Sequence, residues 1–267
     1  MHRWPAHQPD GDTPTPLIWV LAGTGDGPPL AAALLQRGWA VLVSVVTPEA
    51  ARAFPSDPRL HLRVGALGQA SAIEALLDQH HPVWVVDATH PFAEQISRDL
   101  QQVCQRRQQP CLQLQRAAVA AEQGLRLERL ANLQALARLD LRGERLLLAI
   151  GSRRMADALA ASPAAEHFAR VLDRPLSLQL ALAAGLRDQR LACLRPEPHG
   201  AGAVERALCR RWRITAVLCR QSGGAAEAQW HGLCRELNLR LLLLEQSGST
   251  LAAGLPLAAL LEKLGRP

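Results

Sequence analysis

Short apolar segments alternate with amphipathic segments along almost the whole chain. Apolar runs rich in β-branched residues predict buried strands, and in the first half they cover Leu17–Ala22, Ala40–Val46, Leu60–Val64, Val83–Asp87 and Cys111–Gln115. Between them, apolar positions recur with helical spacing, which predicts helices over Pro28–Arg37, Gln69–His80 and Pro91–Arg107. This alternation favours a parallel sheet, because parallel strands need long crossover connections.

The same alternation restarts after a weaker stretch at residues 117–144. Strands are predicted at Arg145–Ile150, His167–Leu172, Leu191–Leu194, Ile214–Cys219 and Leu239–Leu244, with helices between them and a last helix at Ser249–Leu264. We therefore predict an α/β protein with two Rossmann-like parallel-sheet domains, at residues 17–116 and 145–267, joined by the connection at 117–144. Residues 1–16 are rich in proline and polar residues, which predicts a disordered tail rather than a signal peptide.

Charge and composition narrow the class of protein. The net charge is +6 and comes from arginine, since Lys263 is the only lysine. The arginines are scattered and tyrosine is absent, which argues against a nucleic-acid surface. Dispersed arginine suits an anionic small molecule, although ordinary solvated arginine explains most single positions.

Membrane and metal-binding signals are missing from the sequence. No apolar run reaches membrane-spanning length. The six cysteines form no C-x-x-C pair and show no metal-ligand spacing with histidine. We therefore predict reduced thiols, no metal site and a cytoplasmic protein that does not bind membranes or nucleic acid.

A glycine-rich turn, Gly23-Thr24-Gly25-Asp26-Gly27, follows the first predicted strand. Its glycines and the next helix suit the phosphates of a dinucleotide, but they also suit a tight strand-to-helix turn. The second strand ends without the acid that binds the ribose 2′-hydroxyl of NAD. Ser44, Thr47 and Arg52 stand there instead. They favour the 2′-phosphate of NADP, unless Arg52 is simply a solvated helix residue.

A polar turn, Asp87-Ala88-Thr89-His90-Pro91, follows the fourth predicted strand. It places an acid, a hydroxyl and an imidazole at the carboxyl end of a central strand, where open α/β sheets bind ligands. A helix cap is predicted at Thr89 or His90, and Ser97 lies two turns beyond His90 on the same helix face. These residues form either a wall of a reaction cleft, with Asp87 or His90 touching substrate or nicotinamide, or a capped helix start with a satisfied polar cluster.

Two further turns occur in the second half of the chain. Arg220-Gln221-Ser222-Gly223-Gly224 follows a predicted strand and mirrors the first glycine turn. It either holds an anion at a helix N-terminus or is a structural turn. Gly151-Ser152-Arg153-Arg154 occupies an equivalent position and allows the same two interpretations. The sequence contains no nucleophile elbow and no P-loop lysine, and hydride transfer requires neither.

Together these motifs resemble the precorrin-6A reductase family of cobalamin biosynthesis over residues 17–247. The most specific match is D-A-T-H-P-F-A followed by I-S, at residues 87–93 and 96–97. Residues 63–68 resemble the family's R-V-G-G-x-G segment, residues 222–224 its S-G-G loop, and residues 23–26 its opening G-G-T-x-E. The chain departs from the family with Ala22 for the first glycine, Gly27-Pro28 for Ala-Arg, and Arg220-Gln221 for Lys-Asn.

The resemblance implies that NADPH and a polycarboxylate tetrapyrrole bind in a cleft between two Rossmann-like domains. Hydride would pass to a macrocycle double bond of precorrin-6A or cobalt-precorrin-6A, giving precorrin-6B or its cobalt analogue. The residues implied for the cofactor are Gly23, Thr24, Gly25 and Asp26. Those implied for the cleft are Asp87, Thr89, His90 and Ser97, and those for substrate carboxylates or cofactor are Arg116, Arg220, Ser222 and Gly223.

Several alternatives stay open at this point. The proton that accompanies the hydride comes either from His90 or from solvent. The chain is either this reductase, an NADP-dependent reductase of another small anionic substrate, or a nucleotide-sensing protein without turnover. We predict a monomer or a weak homodimer.

Overall fold

The computed structural model describes residues 15–23, 25–120, 123–194, 202–245 and 254–267. These residues form two compact units. The first unit contains the described residues up to Gln115 together with residues 254–267, and the second contains those from Arg116 to residue 245. Each unit is built on its own parallel sheet, which confirms the predicted α/β class. Positions 1–14 of the predicted tail lie outside the described residues.

The first unit has five parallel strands: β1 (Leu17–Ala22), β2 (Ala40–Val45), β3 (Leu60–Val64), β4 (Trp84–Ala88) and β5 (Cys111–Gln113). Its helices up to Gln115 are α1 (Gly27–Gln36), α2 (Pro48–Ala51), α3 (Ala70–His80) and α4 (Glu94–Arg106). The strand order is β3-β2-β1-β4-β5. Central strand β1 is buried on both faces, because Ile18 and Val20 pack in one core with α1 while Trp19 and Leu21 pack in another with α3 and α4.

The second unit has six parallel strands: β6 (Arg126–Leu130), β7 (Arg145–Ala149), β8 (Glu166–Leu172), β9 (Leu191–Leu194), β10 (Ala216–Arg220) and β11 (Arg240–Leu244). Its helices are α5 (Met155–Ala161), α6 (Pro175–Ala183), α7 (Ala203–Arg211) and α8 (Gly224–Glu236), with 3-10 segments at Leu133–Arg138, Ser152–Arg154 and Asp188–Arg190. The strand order is β6-β11-β10-β7-β8-β9.

The C-terminal helix α9 (Leu257–Leu264) belongs to the first unit, which corrects the predicted second domain at 145–267. Leu260 and Leu264 of α9 pack in the core formed by β1, β2 and α1, and Trp39 Nε1 donates a hydrogen bond to the Gly265 carbonyl. The amphipathic pattern of α9 predicts a helix but does not tell which sheet it covers. The helix begins after Pro256, which has no amide proton, and the predicted start at Ser249 lies outside the described residues.

The predicted connection at 117–144 is also corrected, because it contains part of the second sheet. Strand β6 pairs in parallel with β11 at the sheet edge. Three of its five residues are charged, so it lacks the apolar pattern of a buried strand. Arg240 of β11 binds the Glu128 carboxylate of β6, and this ion pair explains how a charged segment joins the sheet.

In both sheets the strand order reverses beside a central strand, and we call this place the switch point of the sheet. The first switch point lies between β1 and β4, and the second lies between β7 and β10. In the first sheet the chain runs from β1 through β2 to β3, and β4 then returns to the other side of β1. In the second sheet, β7 and β10 occupy the equivalent positions. Open parallel sheets bind ligands at the carboxyl ends of such strand pairs. Among the described residues, no helix has the length and apolarity needed to cross a bilayer.

Candidate functional site

Two of the predicted turns meet at the carboxyl ends of β1 and β4. The Gly23 amide donates a hydrogen bond to the Ala88 carbonyl at 3.4 Å. A Cβ added to Gly23 would lie 3.2 Å from the His90 amide nitrogen and 3.4 Å from the Thr89 Cα. Glycine at position 23 therefore lets the two turns touch, and the first glycine turn and the Asp-Ala-Thr-His turn form one site.

Asp87, Thr89 and Ser97 form a hydrogen-bonded relay. Asp87 Oδ1 accepts from the Thr89 amide at 3.0 Å and from the Thr89 hydroxyl at 2.7 Å, and the Thr89 and Ser97 hydroxyl oxygens lie 3.0 Å apart. Because a carboxylate only accepts, Thr89 directs its proton to Asp87, and Ser97 donates to Thr89. Asp87 is 5% exposed and Ser97 4%, so the relay holds the turn from inside.

His90 is half-buried, like Thr89, and shapes the entry to α4. Its Nδ1 accepts a hydrogen bond from the Phe92 amide at 3.1 Å, so the neutral ring carries its proton on Nε2. The His90 carbonyl accepts from the Ala93 amide at 2.7 Å. This extra turn makes Ala93 the helix cap, so the predicted cap at Thr89 or His90 and the helix start at Pro91 are wrong.

The glycine turn after β1 offers backbone amides and open space. Thr24 lies outside the described residues. A Cβ added to Gly25 would meet no heavy atom within 4 Å. Asp26 is the N-cap of α1 but makes no side-chain cap hydrogen bond. Pro28 and Pro29 stand in the first helical turn, and since proline has no N–H, two of the usual phosphate-binding amides are missing.

The hydroxyls predicted to face an adenosine 2′-phosphate have other partners. Ser44 is buried, and its Oγ accepts from Trp19 Nε1 at 3.0 Å. Thr47 Oγ1 accepts from the Ala50 amide at 3.3 Å and caps α2. Arg52 is exposed at the end of α2. Of these three residues, only Arg52 is exposed.

At the carboxyl end of β10, the Ser222-Gly223-Gly224 loop is fixed from two sides. Arg116 Nη1 donates to the Ser222 carbonyl at 2.9 Å, and the Gly223 amide donates to Glu227 Oε2 at 2.7 Å. Gly223 has a φ of +65°, and a Cβ there would lie 2.6 Å from the Arg116 Cβ. The structure thus brings together Arg116, Ser222 and Gly223 through contacts with one another.

Arg220 extends toward the turn after β7. A Cβ added to Gly151 would lie 3.6 Å from Arg220 Nη2. Burial lowers the pKa of the Arg220 guanidinium, and the positive charge of Arg154 acts in the same direction. A bound anion would relieve this repulsion, so the carboxyl edge of the second sheet suits a carboxylate or phosphate.

The strand order shows which turn of the second unit corresponds to which turn of the first. Because β10 occupies the position of β4, the Arg220–Gly224 turn is the counterpart of the Asp87–His90 turn rather than of the first glycine turn. The true counterpart of that first turn is Gly151-Ser152, which follows β7. Sequence spacing alone could not separate these two assignments.

A buried pair in α8, Glu227 and His231, is not among the residues predicted from the sequence. Their side chains are 1% and 0% exposed, and His231 Nε2 lies 3.5 Å from Glu227 Oε1. An acid in the first turn of a helix is a signal of capping, and it could have identified Glu227 as the acceptor of the Gly223 amide. No sequence signal distinguishes His231 from a surface histidine.

Thiols and metal ligands give no competing site in the described part of the chain. There, no group of three or more His, Cys, Asp or Glu side chains is placed to hold a metal ion. All six cysteines are free. Burial raises the pKa of Cys209 to about 12 and raises that of Cys219 and Cys234 as well. These thiols are therefore packing residues and not nucleophiles.

Comparison with known proteins places the chain in one family. The family described as Precorrin-6x reductase CbiJ/CobK matches residues 17–262. The chain is 34% identical over 210 residues to a cobalt-precorrin-6A reductase of a Synechocystis species, covering 77% of this chain and 78% of the relative. It is 32% identical over 234 residues to a precorrin-6A reductase of Rhodococcus erythropolis, covering 86% of this chain and 88% of the relative. A solved structure of CobK precorrin-6A reductase matches with a TM-score of 0.74 and 27% identity, covering 95% of this chain and 99% of that one. The chain therefore belongs to the Precorrin-6x reductase CbiJ/CobK family.

Proposed function

We propose that this protein reduces precorrin-6A, or cobalt-precorrin-6A, to the corresponding precorrin-6B with NADPH as the hydride donor. Relatives carry the names cobalt-precorrin-6A reductase and precorrin-6A reductase. The observation that carries the proposal is the contact at the first switch point, where Gly23 lies against Thr89 and His90. When bound, NADPH supplies a hydride to an electrophilic carbon.

The carboxyl edge of the first sheet fits a dinucleotide. The space above Gly25 is open, and the positive end of the α1 dipole faces the same turn. Since Pro28 and Pro29 carry no N–H, we assign the diphosphate to the amides of the turn at 23–27 rather than to the first turn of the helix. Asp26, at the start of α1, then lies beside the ribose or diphosphate.

His90 is the residue that we place beside the reacting carbon. The relay from Ser97 through Thr89 to Asp87 fixes the backbone that precedes His90. The Nε2–H of His90 is a donor that can bind a substrate carboxylate. To deliver a proton from Nε2 to the macrocycle, the ring must first take up a proton on Nδ1, which replaces the hydrogen bond that Nδ1 accepts from the Phe92 amide. Solvent is the other source of that proton. Asp87 acts through Thr89 and is a positioning residue.

Arg220 is the residue that we assign to a substrate carboxylate, because its planar guanidinium binds carboxylates in a bidentate manner. The nearby charge of Arg154 strengthens the attraction for an anion. Arg116, Ser222 and Gly223 hold the loop that follows Arg220 in place. Their role in binding is therefore to orient Arg220.

The test is a turnover assay with purified protein, NADPH and either metal-free or cobalt-loaded precorrin-6A. We expect nicotinamide absorbance to fall together with a change in the tetrapyrrole spectrum. NADPH binding without oxidation would instead support a nucleotide sensor. Oxidation only with a different acceptor would support a reductase of another anionic substrate.

Two variants test the residues at the first switch point. Gly25→Val should raise the NADPH dissociation constant by about tenfold or more, because the new side chain fills the open space over the turn. Gly232→Val is the matched control, since a Cβ there also meets no heavy atom within 4 Å. His90→Ala should lower kcat by about a hundredfold if His90 delivers the proton, while NADPH affinity changes little. An unchanged rate would leave His90 only its turn-forming role.

A further inference from the structure

An exposed apolar residue and a held guanidinium lie at the carboxyl ends of the neighbouring strands β2 and β3. Val46 follows β2 directly and is 62% exposed. Arg63 is the penultimate residue of β3 and pairs in register with Ser44. The Gly65 amide donates to the Val45 carbonyl at 2.9 Å, so residues 63–65 run directly alongside Val46.

The Arg63 side chain is held in place by the turn that follows its own strand. Its Nη1 donates to the Gly65 carbonyl at 2.7 Å, and its Nη2 lies 3.5 Å from the Ala66 carbonyl. Gly65 has a φ of +125°, a conformation that favours glycine and turns its carbonyl back toward Arg63. A guanidinium has five N–H donors, so donors remain for an anion beyond the two carbonyls. A side chain that is already ordered also loses little entropy on binding.

The other polar groups at this edge have different tasks. The Ser44 hydroxyl binds the Trp19 indole, and the Thr47 hydroxyl caps α2. Arg59 precedes β3, at the opposite edge of the sheet, and pairs with the Asp57 carboxylate at 2.9 Å. Arg52 is exposed at the end of α2, so it would have to be ordered by the ligand itself.

We propose that Arg63, rather than Arg52, binds the 2′-phosphate of the NADPH adenosine and that Val46 supports the adenine ring. This inference rests on the proposed use of NADPH. In Rossmann sites an arginine near the end of the second strand accommodates a 2′-phosphate, whereas an acid there binds the ribose hydroxyl of NAD. Glu49, in the first turn of α2, is the acid that would take that role if the chain preferred NAD.

The experiment measures binding of adenosine 2′,5′-bisphosphate and of 5′-AMP to the full chain by calorimetry, which needs no turnover. We expect the bisphosphate to bind about tenfold or more tightly than 5′-AMP. Arg63→Ala and Arg63→Gln should both remove this preference while leaving 5′-AMP affinity within a few-fold. Arg52→Ala is the matched control and should keep the preference. Val46→Ser should weaken both nucleotides equally, because Val46 contacts the base and not the phosphate.

The outcomes separate this inference from the proposed function. Loss of the preference in Arg52→Ala but not in the Arg63 variants would overturn the inference alone. Tighter binding of 5′-AMP than of the bisphosphate would overturn it in favour of an NAD site at Glu49. If neither nucleotide binds and NADPH is not oxidised in the turnover assay, the cofactor assignment fails with it. Thermal unfolding of each variant shows that it is folded when its affinity is measured.

Discussion

Removing the Thr89 hydroxyl should loosen the turn that carries His90. Thr89→Val keeps the shape of the side chain but removes both the donor to Asp87 and the acceptor for Ser97. A hydrogen bond to a charged group contributes about 1.5–3 kcal/mol, and leaving the buried Ser97 hydroxyl without this partner costs about 1 kcal/mol more. We therefore expect the β4–α4 segment to lose about 2.5–4 kcal/mol of local stability.

Hydrogen exchange of peptides that cover β4 and the start of α4 measures this loss directly. It is preferable to one global unfolding curve, because a chain of two units need not unfold in a single step. Thr89→Ser is the matched control, since it keeps the hydroxyl and loses only a methyl group. Ser97→Ala should have a smaller effect than Thr89→Val, because the bond from Thr89 to Asp87 stays intact.

Two results would contradict this account of the relay. Unchanged exchange in Thr89→Val would mean that the hydroxyl does not hold the turn. Equal loss in Thr89→Ser, which keeps the hydroxyl, and in Thr89→Val, which removes it, would mean that the hydroxyl is not what stabilises the turn. If the relay positions His90, then kcat should also fall by about tenfold or more in folded Thr89→Val, whereas a purely structural cluster would leave kcat of the folded fraction unchanged.

Two further predictions concern the second unit. Gly223→Ala should destabilise the β10–α8 segment by about 1–3 kcal/mol more than Gly224→Ala, measured by hydrogen exchange of peptides that cover it. Both glycines have a positive φ, but only at Gly223 would a new Cβ overlap Arg116. The nearest Arg116 atom lies 3.9 Å from a Cβ on Gly224. A larger loss of stability in Gly224→Ala than in Gly223→Ala would argue against the close approach of Arg116 to Gly223. Burial lowers the pKa of His167 below its usual value of 6.5, so the unfolded chain takes up this proton first. The stability that His167 contributes should be complete above about pH 6.5 and decline as the pH falls through the lowered pKa. This part of the decline should disappear in His167→Gln. Identical pH profiles of stability for the two proteins would refute the role of His167.

Strands and the edge that carries the site could be predicted because their signals are local. The predicted strands Leu60–Val64 and Leu191–Leu194 have the bounds that the structure shows, since polar or glycine-rich turns end them sharply. A polar residue at the end of a buried strand marks the carboxyl edge of a parallel sheet. The Asp87–His90 turn and the first glycine turn were therefore expected at one edge, where they in fact touch.

Partners of individual side chains could not be predicted, because they depend on distances across the fold. Ser44 is predicted as a cofactor residue from its place near the end of β2, yet its hydroxyl accepts a hydrogen bond from Trp19, which lies 25 positions earlier. The amphipathic pattern of α9 does not specify its sheet. Edge strand β6 carries too many charges to be recognised without Arg240.

The two switch points are built in a similar way. In each sheet a glycine follows the central strand, and a residue at or after the end of the neighbouring strand lies close to it. A Cβ on Gly23 would lie 3.2 Å from the His90 amide nitrogen, and a Cβ on Gly151 would lie 3.6 Å, an ordinary contact distance, from Arg220 Nη2. In the first unit the backbone of Thr89 and His90 approaches Gly23, and in the second the Arg220 guanidinium approaches Gly151. Equivalent positions thus carry a backbone segment with an imidazole at the edge of the first sheet but an arginine at the edge of the second. This difference in chemistry matches the division that we propose, with the dinucleotide and the reacting carbon at the first edge and a substrate carboxylate at the second.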